Sequence, residues 1–101
     1  MTVRLTPEAE ADIADARRWY QQRSSQVADR FMRATADALD QIDRYPEGQP
    51  ILYRTARRVL VPRFPYALLY YLDGSVAVLF CCSHTARDPK VWQERADIVL
   101  D

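Results

Sequence analysis

Tyr66-Ala67-Leu68-Leu69-Tyr70-Tyr71-Leu72-Asp73-Gly74-Ser75-Val76-Ala77-Val78-Leu79-Phe80-Cys81-Cys82 reads as two strands joined by a tight turn. Asp-Gly is a strong hairpin signal, because glycine takes positive φ without a steric penalty. The runs 66–72 and 76–82 are rich in β-branched and aromatic residues, and neither alternates apolar with polar. Strands that are apolar on both faces must be covered on both faces. One layer of helices covers one face. A further helix, a partner chain or both must cover the other, and the pattern favours a contribution from each.

Outward from this hairpin, Arg57-Arg58-Val59-Leu60-Val61 reads as a preceding strand, with Pro62 and Pro65 bracketing the bend between. The return strand runs from Ser75 to Ser83. Asp88-Pro89 starts a last short helix through Trp92, Glu94 and Ala96, with Asp88 as its cap. Upstream the period changes. Ala9, Ile13, Ala16 and Tyr20 recur at helical spacing after Thr6-Pro7-Glu8, where Thr6 caps, Pro7 fits the first position and Glu8 meets the positive dipole end. That helix ends near Arg23. Ser24-Ser25 caps a second, longer helix with the stripe Val27, Phe31, Ala34, Ala38, Ile42 and Tyr45. So short a link makes the two an antiparallel hairpin. Pro46, Gly48 and Pro50 end the helical region, and Val3-Arg4-Leu5 reads as a short first strand. The expected fold class is α+β, in the order β-α-α-β-β-β-α, with the helical hairpin packed on one face of a small, mainly antiparallel sheet.

A chain of 101 residues allows one domain, 1–101, whose stability margin is thin. Net charge is zero, so overall charge points to no partner, yet Arg54, Arg57, Arg58 and Arg63 fall together with no acidic residue among them. Thirteen of the fourteen basic residues are arginine, which pairs with carboxylate or phosphate in a fork. Cys81 and Cys82 are adjacent and should not bridge to one another, because strand neighbours point apart. They read as buried thiols of a reducing compartment. Met1-Thr2-Val3-Arg4-Leu5 has no signal-peptide core, and no apolar run approaches the ~20 residues of a membrane span. A cytoplasmic location, with no membrane partner, no metal and no cofactor, is the expectation.

Candidate chemistry is sparse. His84 is the single histidine. It is a general acid or base near neutral pH, or a side chain that bonds to the backbone and orders the turn into Arg87-Asp88-Pro89. Arg57, Arg58, Arg63 and Arg87 have three readings: a phosphate surface, a solvated edge that blocks strand pairing, or a socket for acidic side chains. Trp19 and Trp92 read as core or interface residues.

Leu5-Thr6-Pro7-Glu8-Ala9-Glu10-Ala11-Asp12-Ile13, Arg18-Trp19-Tyr20, Phe31, Leu39, Tyr45-Pro46, Arg57-Arg58, Phe64-Pro65-Tyr66, Leu69-Tyr70-Tyr71 and His84-Thr85-Ala86-Arg87-Asp88-Pro89-Lys90-Val91-Trp92, in this order, resemble toxins of the RelE/ParE superfamily, and the ParE-like branch in particular. The resemblance implies the toxin half of a type II toxin–antitoxin pair of plasmid-stabilisation type, causing growth arrest. It also implies a ParD-like antitoxin partner. ParE-like toxins poison DNA gyrase, whereas RelE-like toxins cut messenger RNA on the ribosome. RelE-like nucleases place an arginine in the middle strand and a tyrosine near the C-terminus. The corresponding residues here are Ala67 and Trp92, neither able to do that chemistry. His84, Arg58 and Arg87 remain the candidates for a reduced nuclease site, and a family member that binds antitoxin without being toxic is the third reading. For the antitoxin, an amphipathic segment is expected across the helical hairpin beside Trp19, Tyr20 and Phe31, with its acidic residues facing Arg57 and Arg58.

Overall fold

The computed structural model describes residues 2–100. The chain runs β1 (Thr2–Leu5), α1 (Pro7–Gln21), α2 (Ser25–Arg44), β2 (Ile51–Tyr53), β3 (Ala56–Leu60), β4 (Tyr66–Asp73), β5 (Val76–His84) and α3 (Lys90–Val99). One five-stranded sheet has the order β1-β5-β4-β3-β2, with β1 parallel to β5 and the other pairs antiparallel. The fold is the α+β class read from the sequence, with one strand more than expected.

That strand is β2. It has three residues, two of them exposed, and turns into β3 through Arg54 at φ 53. Hairpin loops of two residues that need positive φ usually carry Gly or Asn there, so Arg54-Thr55 gives no sequence signal. At the other hairpin the signal held: Asp73 pairs with Val76, and Gly74 has φ 59.

Both helix starts follow their sequence signatures. Thr6 Oγ1 accepts the Ala9 N–H at 3.2 Å, and Ser24 Oγ accepts that of Val27 at 3.3 Å. The buried line of α2 is Ala28, Phe31, Thr35, Ala38 and Ile42. Tyr45, expected to continue the apolar stripe, is 58% exposed instead, because it lies past the helix end with φ −133. Thr35 enters the core because its hydroxyl donates to Phe31 O at 2.8 Å, which satisfies its polar group locally.

The sheet carries a core on each face. On one side α1 and α2 pack Ile13, Phe31 and Ile42 against Val59, Leu68, Tyr70 and Leu79. On the other, α3 packs Ala96 and Trp92 over Ala67, Leu69, Phe80 and Cys81. The terminal helix therefore covers the second apolar face. Its cover is incomplete, since Leu60, which pairs with Ala67 and shares its face, is half exposed.

Candidate functional site

The last strand decides where the candidate side chains point. Leu69 pairs with Cys81 and Tyr70 with Leu79, so Phe80 is an extra residue in β5. This β-bulge reverses the alternation of faces. Phe80 and Cys81 both belong to the α3-side core, and Cys82 returns to the hairpin side. His84 follows Cys82 onto the hairpin side, where its ring meets Tyr66 edge-on at 5.2 Å.

Beyond Leu79, β5 has no strand beside it on the β1 side, because β1 ends at Leu5. Side chains satisfy that open edge. Asp12 of α1 accepts the Cys82 N–H at 3.0 Å, and Arg95 of α3 donates to Phe80 O at 3.1 Å. The two side chains pair with each other at 2.6 Å. Asp12 and Arg95 thus join both helical layers to one strand edge. The sequence reading missed this link, because residues 83 positions apart leave no local signal.

A cleft of about 190 Å³ lies beside this edge, lined by Asp12, Asp15, Trp19, Tyr66, Cys82, His84 and Arg87. His84 and Arg87 are therefore neighbours, as the nuclease reading needs. Arg58 is not among them. It pairs with Leu69 and so lies on the α3 side of the sheet, two strands away from β5. His84 Nδ1 accepts the Ala86 N–H at 3.0 Å, and its carbonyl accepts the Arg87 N–H at 3.0 Å. In this geometry the histidine orders the turn, and its Nδ1 lone pair is occupied. Lys90 N–H in turn bonds to Asp88 Oδ1 at 3.0 Å. The cap expected at Asp88 is displaced by one residue: Pro89 is the N-cap of α3 and no side chain caps it, so Asp88 orders the turn ahead of the helix. The cysteines offer no nucleophile. Burial pushes each thiol up to about 12, with the Asp12 carboxylate adding to the rise and Arg87 opposing it. Among the described residues no group of three His, Cys, Asp or Glu side chains is placed to hold a metal ion. No described helix is long and apolar enough to cross a membrane.

Trp19, Tyr20 and Phe31 form a graded aromatic stack. Phe31 is fully buried, Tyr20 is half-buried at 5.3 Å from it, and Trp19 is half exposed at 5.0 Å from Tyr20. Phe31 therefore supports the surface from beneath. The Arg23 guanidinium lies 3.6 Å from the Trp19 ring centroid and fixes that ring. Arg57 and Arg58 do not share one face, because strand neighbours point to opposite sides of the sheet. Arg57 shares the hairpin side with Tyr70. It is committed to the loop after α2, donating to Glu47 O at 3.1 Å and Gln49 O at 2.8 Å. Arg58 is exposed on the far side.

Two surface grooves flank α2. One, of about 600 Å³, lies between the two helices of the hairpin over Leu5, Ile13, Ala14, Met32 and Leu39, with Arg17 and Arg18 on its rim. The other, of about 820 Å³, lies between α2 and the β3–β4 turn.

Set beside known proteins, residues 3–89 match the family described as the ParE toxin of type II toxin–antitoxin system, parDE. Among solved structures, a chain of a chromosomal ParDE toxin–antitoxin system from P. aeruginosa superposes with a TM-score of 0.64 at 18% identity, covering 83% of this chain and 95% of that one. At that identity the likeness is one of fold. No curated protein matches this chain. The family match spans the helical hairpin, the whole sheet and the His84 turn, and by it this chain belongs to the ParE toxin family of type II toxin–antitoxin systems.

Proposed function

We propose that the protein is a toxin that arrests growth by binding DNA gyrase and is neutralised by a ParD-like antitoxin. The separation of Arg58 from His84 and Arg87 carries this reading. The middle-strand position that would hold an arginine in a RelE-like nuclease is Ala67, buried under α3. Arg58 and His84 stand on opposite faces of the sheet. Stabilising the crowded phosphate of RNA cleavage needs converging cations and a base. Inhibition by binding needs only shape and charge. The apolar groove of the hairpin supports an amphipathic antitoxin segment lying along α1 and α2; half-exposed Trp19 lies instead in the His84 cleft.

One observation favours the messenger-RNA nuclease as the second reading: His84, Arg87 and the Tyr66 ring share one cleft. His84→Gln separates the two, since it keeps size and hydrogen bonding but removes titration. A gyrase poison carrying this change should still kill cells lacking antitoxin and still induce the DNA-damage response. A general base contributes ~10²–10⁴ in rate. Loss of killing by a folded His84→Gln protein, with messenger RNA cut by the wild type, would reject the gyrase reading.

A further inference from the structure

The groove between α2 and the β3–β4 turn gathers three arginines. Arg30 and Arg33 stand one turn apart on α2, and Arg63 faces them from the turn. All three are exposed. Four other arginines are committed: Arg18 to Asp15, Arg44 to Asp40, Arg95 to Asp12, and Arg57 to two loop carbonyls. Among the described residues, Arg30, Arg33 and Arg63 make no ion pair, although Asp37 lies one turn beyond Arg33. Three like charges converging on one groove repel each other and gain from an anionic ligand. Arg63 is held at φ 68, a region that residues other than glycine seldom adopt, so an arginine stands where glycine would be less strained.

The floor of the groove selects the kind of anion. Val27, Ala34 and Phe64 are half-buried and apolar, and Phe64 rests edge-on against Phe31 at 5.3 Å. A floor of this kind seats an aliphatic or aromatic side chain. Asp37 can accept a peptide N–H, a donor that a phosphate backbone lacks. The chain has 14 basic and 14 acidic residues, so it lacks the broad positive field of a nucleic-acid binder.

We propose that Arg30, Arg33 and Arg63 form the carboxylate socket for an acidic, amphipathic segment of the partner protein. Resting on the toxin–antitoxin reading above, that partner is the antitoxin. Its chain crosses α2 from the apolar groove of the hairpin, which shares Ala36 with this one. The socket takes the place of the Arg57–Arg58 edge expected from the sequence.

The test is a titration of the purified chain with the antitoxin encoded beside it, at several salt concentrations. With Arg30→Gln, Arg33→Gln and Arg63→Gln combined, three exposed charge pairs are lost. The expected loss of affinity is on the order of 10- to 100-fold, with a shallower salt dependence. Asp37→Asn should tighten binding roughly 2- to 5-fold. Arg63→Gly should weaken binding while raising Tm, since it relieves the backbone, and it serves if the triple variant is unstable. Unchanged affinity and salt slope in a folded variant would overturn the socket. So would binding of a 20-base-pair DNA duplex that is lost in the triple variant, which would make the groove a nucleic-acid site. Failure of the antitoxin to bind the wild-type chain would instead overturn the toxin–antitoxin reading, and the socket with it.

Discussion

Replacing Asp12 by alanine should cost more stability than any comparable change of an exposed acidic residue. Its carboxylate is 16% exposed and makes two contacts, the 2.6 Å pair with Arg95 and the 3.0 Å bond from the Cys82 N–H. Removing it leaves a backbone N–H on the open edge of β5 without its acceptor, which costs about 1–3 kcal/mol. It also leaves Arg95, 26% exposed, without its counter-charge. Discounted for that partial exposure, the second loss is ~1 kcal/mol. The sum of about 2–4 kcal/mol is a large share of the 5–15 kcal/mol that holds a small domain together. At about 4–8 °C per kcal/mol it lowers Tm by roughly 8–32 °C. Urea unfolding of Asp12→Ala, Arg95→Met and the double variant would measure the cycle. The double variant should lose less than the two single losses combined, because breaking a pair from one side strands the other group. A loss below ~0.5 kcal/mol for Asp12→Ala, in the range of ordinary surface changes, would refute the claim that this pair holds α1 and α3 to the β5 edge.

Two further outcomes follow from the burial of single groups. Both cysteine thiols are raised from 9.0 to about 12 by burial, so the folded chain keeps these protons when the unfolded chain has lost them. Their contribution to stability is complete below pH 9 and falls as pH rises from about 9 to 12; melts from pH 8 to 10.5 should show the decline, less steeply in Cys82→Ala, and a flat profile would contradict it. The Tyr70 hydroxyl donates to Pro46 O at 2.7 Å and ties the loop after α2 to the sheet, so Tyr70→Phe should cost ~1–2 kcal/mol in urea unfolding, and a neutral result would show that the loop is held by Arg57 alone.

Much of the fold was legible because its signals are local. Thr6-Pro7, Ser24 and Asp73-Gly74 each mark a boundary through a cap or a turn whose physics acts within four residues. The non-alternating runs 66–72 and 76–82 required cover on both faces, and the two cores provide it. The candidate site was less legible, for reasons that can be named. A bulge at Phe80 reverses which face a side chain takes, and a uniformly apolar strand gives no hint of where the reversal falls. Adjacent Arg57 and Arg58 looked like one patch in the sequence, but strand geometry sends them to opposite sides. Arg30, Arg33 and Arg63 come from a helix and a turn, and only the packing of α2 against the sheet brings them together. Phe31 and Trp19 read alike as apolar anchors, whereas one is fully buried and the other half exposed.

The central claim is that the chain acts by binding gyrase rather than by cutting RNA, and purified components test it most directly. DNA gyrase, relaxed plasmid and ATP are incubated with rising amounts of the protein, with and without its antitoxin. The account predicts that supercoiling stops as the protein approaches gyrase concentration, that antitoxin restores it, and that His84→Gln inhibits as well as the wild type. Undisturbed supercoiling at a large excess of folded protein, together with cleavage of messenger RNA in a ribosomal translation reaction, would contradict it.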